Sequence, residues 1–246
     1  MNRFTIAALL TLAFAHPCAQ AEESADLSFN IAGVSDYRYR GISQTRLQPA
    51  LQGGLDYVHR PSGLYAGAWA STITWTGDAG GGGHVELDLY AGIKGQLAPG
   101  FAYDAGVLHY AYPANGLAQA PGFANANTNE LYGQLAYGWG QAKYSWSASN
   151  LFGFTDSKHS GYADLALNPK LNETLTLNLH AGHQRVAAHA DASYSDWKVG
   201  LTRDFAQSSA ALAVVGSNAN KLAYTSPENG KYLGKTALVL ALSKTF

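Results

Sequence analysis

The chain has 246 residues, of which 47% are hydrophobic and only 13% charged, with a formal net charge of −1. That apolar content excludes a disordered chain, the length fits one domain, and the near-zero charge offers no basic field to attract nucleic acid. Beyond the first twenty residues no amphipathic helix of useful length can be traced, which sets aside the usual soluble α-containing classes.

The N-terminus reads as a secretory signal peptide over residues 1–21. Asn2 and Arg3 give a short basic start, an apolar stretch runs from Phe4 to Ala15, and Ala19-Gln20-Ala21 supplies a small-x-small cleavage site. The apolar stretch is too short to span a bilayer, which takes roughly 20 residues. Cys18 lies inside this segment and follows His16-Pro17, not the small residue that a lipoprotein signal wants. The mature chain, 22–246, then has no cysteine, and an exported fold without disulfides must rest on its own hydrogen bonding and packing. A closed barrel meets that demand because every strand is paired on both sides.

From residue 26 onward the pattern has a period of two. Leu27, Phe29 and Ile31 oppose Ser28 and Asn30, and the alternation runs on through Tyr37 and Tyr39 against Asp36, Arg38 and Arg40. The cleanest segment is 85–94, with Val85, Leu87, Leu89, Ala91 and Ile93 on one face and Glu86, Asp88, Tyr90 and Lys94 on the other. A helix would mix these sets, whereas a strand separates them. Twelve strands are predicted: 26–41, 49–59, 63–75, 84–97, 100–112, 128–139, 141–151, 160–169, 173–185, 193–204, 208–217 and 234–246. Within 100–112, Leu108, Tyr110 and Tyr112 fall opposite Phe101, Tyr103 and Val107; a bulge would reconcile the two sets.

Tight turns near residues 60–62, 98–99, 140 and 206–207 alternate with polar loops at 76–83, 113–127, 152–159 and 217–233. This predicts an all-β, transmembrane antiparallel barrel of about twelve strands, with short periplasmic turns, long external loops and both termini periplasmic. Expected membrane-interface aromatics are Tyr37, Tyr39, Tyr57, Tyr65, Trp75, Trp139 and Trp197. A soluble β-sandwich would also alternate, but strands of this length would leave edges that the sequence does little to protect. The terminal Phe246 shares a face with Leu242, Leu240 and Leu238, which is similar to the C-terminal assembly signal of outer-membrane proteins read by the barrel-assembly machinery. Lys244 departs from that pattern.

Several segments carry a family resemblance. Val34-Ser35-Asp36-Tyr37-Arg38-Tyr39-Arg40-Gly41-Ile42-Ser43-Gln44-Thr45 and Pro49-Ala50-Leu51-Gln52-Gly53-Gly54-Leu55-Asp56-Tyr57 resemble the opening of the TorF family, outer-membrane barrels assigned a porin role. The segments 63–71, 103–113, 127–133, 143–153 and 180–186 extend the resemblance over nearly all the mature chain. It implies an outer-membrane location more strongly than any cargo.

If the polar face lines a lumen, its charged members are Asp36, Arg38, Arg40, Asp56, Glu86, Asp88, Lys94, Asp104, Glu130, Lys143, Asp164, Asp196 and Lys198. In a channel they set a transverse field; in a sealed barrel they pair and plug the bore. Acids outnumber bases eight to five, which points to a mild cation preference. Arg38 and Arg40 beside Asp36 form the expected solute-contacting group, since a guanidinium can hold a carboxylate or phosphate bidentately. Structural pairing with Asp36 or Glu86 is the competing role. The 113–127 loop is long enough to fold inward and narrow a pore.

The function expected is passive diffusion of small hydrophilic solutes or ions, against the alternative of a non-conducting barrel with a structural or surface-binding role. The partners expected are outer-membrane lipid, the assembly machinery and small solutes or ions, with no nucleic acid. No cofactor, metal or enzyme chemistry is expected. His180 and His183 face opposite sides of a strand, no Ser-containing motif accompanies His109, His180 or His183 at matching parity, and Gly80 to Gly83 lacks the Lys-Ser/Thr of a phosphate loop.

Overall fold

The computed structural model describes residues 25–246; the proposed signal peptide and Cys18 lie outside them. The strands in chain order are β1 (Ala25–Val34), β2 (Arg38–Tyr39), β3 (Ile42–Ser43), β4 (Ala50–His59), β5 (Leu64–Thr72), β6 (Val85–Ala98) and β7 (Phe101–Ala111). Then follow β8 (Thr128–Tyr137), β9 (Gly140–Ser147), β10 (Gly161–Leu167), β11 (Leu175–Arg185), β12 (Tyr194–Phe205), β13 (Ser208–Ser217) and β14 (Ala237–Thr245). One helical turn, α1 (Trp75–Asp78), lies between β5 and β6.

Among the described residues, twelve of these strands close into one antiparallel barrel, and β2 and β3 form a separate two-stranded hairpin. Each barrel strand pairs with its chain neighbours, and β14 closes on β1 from Asn30↔Thr245 to Val34↔Ala241. The last residue tightens that seam, because the Phe246 N–H donates to Phe29 O at 2.8 Å. Closure leaves no unpaired edge, so every ladder hydrogen bond is made inside the protein, which a bilayer demands.

The parity read from the sequence sets the inside and outside of the barrel. Leu89, Leu131, Leu165, Leu201 and Leu240 all point outward and are exposed, as are Tyr57, Trp139 and Trp197. Such a continuous apolar outer face is stable in lipid, not in water. The polar partners on the same strands point inward, Glu86, Asp88, Asp104, Glu130 and Asp196 among them, and are buried. Both described ends of the chain lie at the short-turn end, the periplasmic end in barrels of this type.

Several expectations need correction. The first strand ends at Val34 instead of continuing to residue 41, and residues 35–49 turn into the bore. Asp36, Arg38 and Arg40 therefore belong to an inserted segment and not to a barrel strand. Tyr37 and Tyr39 pack inside the barrel, so neither lies at a membrane interface. Tyr65 has inward parity on β5 and is buried. Trp75 sits on α1, edge to face with Tyr112 at 5.0 Å. In β7 the ladder with β8 runs without a shift from Phe101↔Tyr137 to Tyr110↔Thr128, and the irregularity lies at Gln96/Ala98 of β6. Leu108, Tyr110 and Tyr112 are inward-facing apolar residues that the inserted segment packs upon.

Candidate functional site

Residues 35–49 form a tongue between β1 and β4. Its tip is the hairpin Arg38↔Ser43, Tyr39↔Ile42, turned by Arg40 (φ 47°) and Gly41 (φ 78°). Positive φ at both central residues is the type I′ geometry that matches strand twist, and a glycine at the second position supports it. Gly41 serves a second need, since a Cβ there would stand 2.5 Å from Asp196 Cβ on β12. The tongue therefore starts beside β1 and ends hard against a strand three places around the barrel.

Specific contacts hold it. Arg40 donates from Nη2 to both carboxylate oxygens of Glu130 on β8 (2.9 and 2.7 Å) and from Nη1 to Gln184 Oε1 on β11 (2.7 Å). Its guanidinium lies over the rings of Tyr162 (4.3 Å) and Tyr39 (4.8 Å). The Tyr37 hydroxyl donates to Glu86 Oε1 on β6 at 2.9 Å, and the Tyr39 and Tyr110 hydroxyls share a hydrogen bond. Arg38 bonds Asp36 Oδ2 through Nε at 2.5 Å and sends Nη1 to the carbonyls of Gly41, Leu233 and Lys235. It thereby ties the tongue to the loop joining β13 and β14. A buried bidentate pair of the Arg40–Glu130 kind is costly to break from one side, about 3–5 kcal/mol, because the remaining charge stays buried.

Loops cap the tongue from outside. In the connection between β7 and β8, Leu117 and Ala126 are completely buried and join the same apolar cluster as Tyr37, Ile73 and Tyr112. The loop at 113–127 thus packs into the mouth of the barrel beside the tongue.

The ten strand-borne charges expected in a lumen all point inward. Asp56 accepts from Tyr90 (2.5 Å) and Asp104 from Tyr65 (2.5 Å), while Tyr65 also hydrogen-bonds Tyr132. Asp196 takes His180 Nε2 on Oδ1 (2.8 Å) and the Tyr162 hydroxyl on Oδ2 (2.9 Å); Asp164 lies 3.4 Å from His180 Nδ1. Lys94 and Lys143 rest over the rings of Tyr65 (5.3 Å) and Tyr132 (4.1 Å). Asp88 is buried, and its Oδ1 has no hydrogen-bond partner among the described residues. Lys198 makes no ion pair among those residues and lines a cavity. Tyr65, Tyr90, Tyr132, Tyr162, Gln184 and His180 complete this network. Tyr90, Tyr132 and Tyr162 share parity with the charges on their own strands, a signal that could have added them to the set.

Beside the tongue lies a cavity of about 50 Å³. On one side lie Arg38, Arg40, Gly41, His180, Asp196 and Lys198. The other side is a wall of small side chains, Ala211, Ala213 and Val215 from β13 with Val239 and Ala241 from β14.

On the outer surface the barrel creates a pair that parity arguments missed. His183 of β11 and Ser195 of β12 are direct cross-strand partners, with Nδ1 and Oγ 3.0 Å apart. No group orients the other ring nitrogen among the described residues, and the Ser195 N–H already donates to Asn218 Oδ1 at 2.7 Å. No group of three metal-ligating side chains occurs among the described residues.

Solved structures that share the fold include two outer-membrane proteins. The NanC porin aligns at 11% identity with a TM-score of 0.54, covering 89% of this chain and 98% of its own. An outer-membrane channel from Pseudomonas putida F1 aligns at 14% identity with a TM-score of 0.53, covering 89% and 95%. At such identities the likeness concerns fold, that of an outer-membrane barrel. No curated protein is detectably similar in sequence. Residues 18–246 match the family described as bacterial protein of unknown function (Gcw_chp), and the chain belongs to that family.

Proposed function

We propose that the protein is an outer-membrane channel for passive diffusion of small hydrophilic solutes, with a bore restricted by the tongue at residues 35–49. The observation that carries this reading is the built constriction. A charged hairpin crosses the lumen, is pinned at Glu130 and Gln184, and borders a cavity against a wall of small residues. A barrel with only a structural role has no need of one bulky and one small-residue inner wall. The resemblance to the TorF family and the outer-membrane channels that share the fold support the same reading.

A space of about 50 Å³ is narrow. An apolar cavity that takes a benzene ring is about 150 Å³, so ring-sized solutes require the tongue to move. One observation favours the second reading, a sealed barrel: the external half of the bore is packed with paired charges and aromatic rings. Liposome swelling separates the two. Vesicles carrying refolded mature protein should swell in glycerol or glycine faster than protein-free vesicles. Absence of swelling from protein shown to be folded and inserted would overturn the channel reading in favour of the sealed barrel.

A further inference from the structure

We infer that the cavity beside the tongue tip is a binding site for a small oxyanion, a carboxylate or inorganic phosphate, held by Arg38 and Lys198. This deepens the channel reading by giving the chemistry of its solute, and in that respect rests on it.

The argument begins with unfilled donors. The Arg38 side chain is only 3% exposed; its Nε and Nη1 are committed, yet its Nη2 is buried and has no hydrogen-bond partner. A buried guanidinium nitrogen without an acceptor is unfavourable, and native proteins supply one. Arg38 lines the cavity, and so does Lys198, whose ammonium has no ion-pair partner among the described residues. Two cationic side chains with donor capacity to spare thus border one space.

Most of the acids nearby are already occupied. Asp36 accepts from Arg38 Nε and Ser43 Oγ, Glu130 holds Arg40, and both oxygens of Asp196 are taken by His180 and Tyr162. Asp164 is the exception, 3.4 Å from His180 Nδ1 with its Oδ1 buried and without a hydrogen-bond partner among the described residues. Four acids thus face Arg38, Arg40 and Lys198, with His180 between two of them, so an arriving anion is held by donors and not by a net positive field. The opposite wall of alanine and valine adds no competing acceptor side chain. Size narrows the ligand further. A cavity needs about 10–15 Å³ to hold one water, so 50 Å³ suits a carboxylate or a compact inorganic oxyanion and excludes a sugar ring.

The test is isothermal titration of refolded mature protein in detergent, in a Tris–chloride buffer, with sodium acetate in one arm and sodium phosphate in the other. Saturable one-site binding of either anion is expected, and the arm that saturates identifies which oxyanion the site takes. Lys198→Met should weaken it at least tenfold, while Lys170→Met, exposed at the opposite end of the barrel, should leave it unchanged. Lys198→Met removes no ion pair or hydrogen bond, so folding is expected to survive; heat-modifiable migration checks this. No saturable heat with either anion, or binding untouched by Lys198→Met, overturns the site. Swelling measured on the same preparation keeps the two claims apart. Binding without permeation retains the site and sinks the channel, and permeation without binding does the reverse.

Discussion

The wall formed by β5 to β8 and the wall formed by β13 and β14 share one barrel and one parity, yet their inward faces have opposite character. The first carries Tyr65, Trp69, Glu86, Tyr90, Tyr110 and Tyr132, bulky groups bound to one another and to the tongue. The second carries Ala211, Ala213, Val215, Val239 and Ala241, which reach little way into the bore. Interior bulk on one side gives the tongue its docking surface, and small residues on the other leave the space that a solute would use. Alternation decides which residues face inward; side-chain volume around the circumference decides where the free space lies.

The largest effect should come from releasing the tongue from the bulky wall. Arg40→Met leaves Glu130 buried and uncompensated, so undocking should become easier by about 3–5 kcal/mol. Hydrogen exchange at residues 37–44 should accelerate while the barrel strands stay protected, and equal protection in both proteins would show that this pair does not hold the tongue. On the lipid side, Leu240→Arg places a charge on the outer face of β14 and should destabilise the barrel by about 2–4 kcal/mol if that residue lies near the bilayer midplane. Urea unfolding in bilayers measures it, and a neutral result would argue against lipid contact at that face.

Smaller effects test the geometry of the tip and of the small-residue wall. Gly41→Ala forces a Cβ into a positive-φ position and toward Asp196, so it should loosen the tip by about 1–2 kcal/mol, read as earlier proteolysis within the tongue. Ala213→Phe fills the gap from the opposite wall without touching a hydrogen bond. It should lower glycine permeation by roughly half or more, as narrowing at a constriction does, with stability little changed.

The barrel was legible because its signal is local. On β6, Glu86, Asp88, Tyr90 and Lys94 declare one face and Leu87, Leu89 and Ile93 the other, with no knowledge of the neighbours. The tongue was not legible for a related reason. Asp36, Tyr37, Arg38, Tyr39 and Arg40 resume the parity of β1 after the swap at Val34 and Ser35, and a hairpin tip that alternates charge and ring has the periodicity of a strand facing a lumen. What marks it as a turn is Arg40-Gly41, and the need for glycine there comes from Asp196, 155 positions away. Leu108, Tyr110 and Tyr112 gave the complementary clue. Apolar residues on an inward face suggested an irregular strand, when they mark a place where another segment packs inside the barrel. Arg40 pairs with Glu130 and not with Asp36 or Glu86, because strand parity gives the facing direction and says nothing about which residues meet across the bore.

The most direct test compares the conductance of the wild-type barrel in a planar bilayer with that of a variant in which residues 36–47 are replaced by a short Gly–Ser linker. If the tongue is the constriction, both proteins insert and the variant conducts on the order of tenfold more, as widening the narrowest section of a pore should allow. Equal conductance from two folded, inserted barrels would contradict the account, since the restriction would then lie elsewhere in the bore.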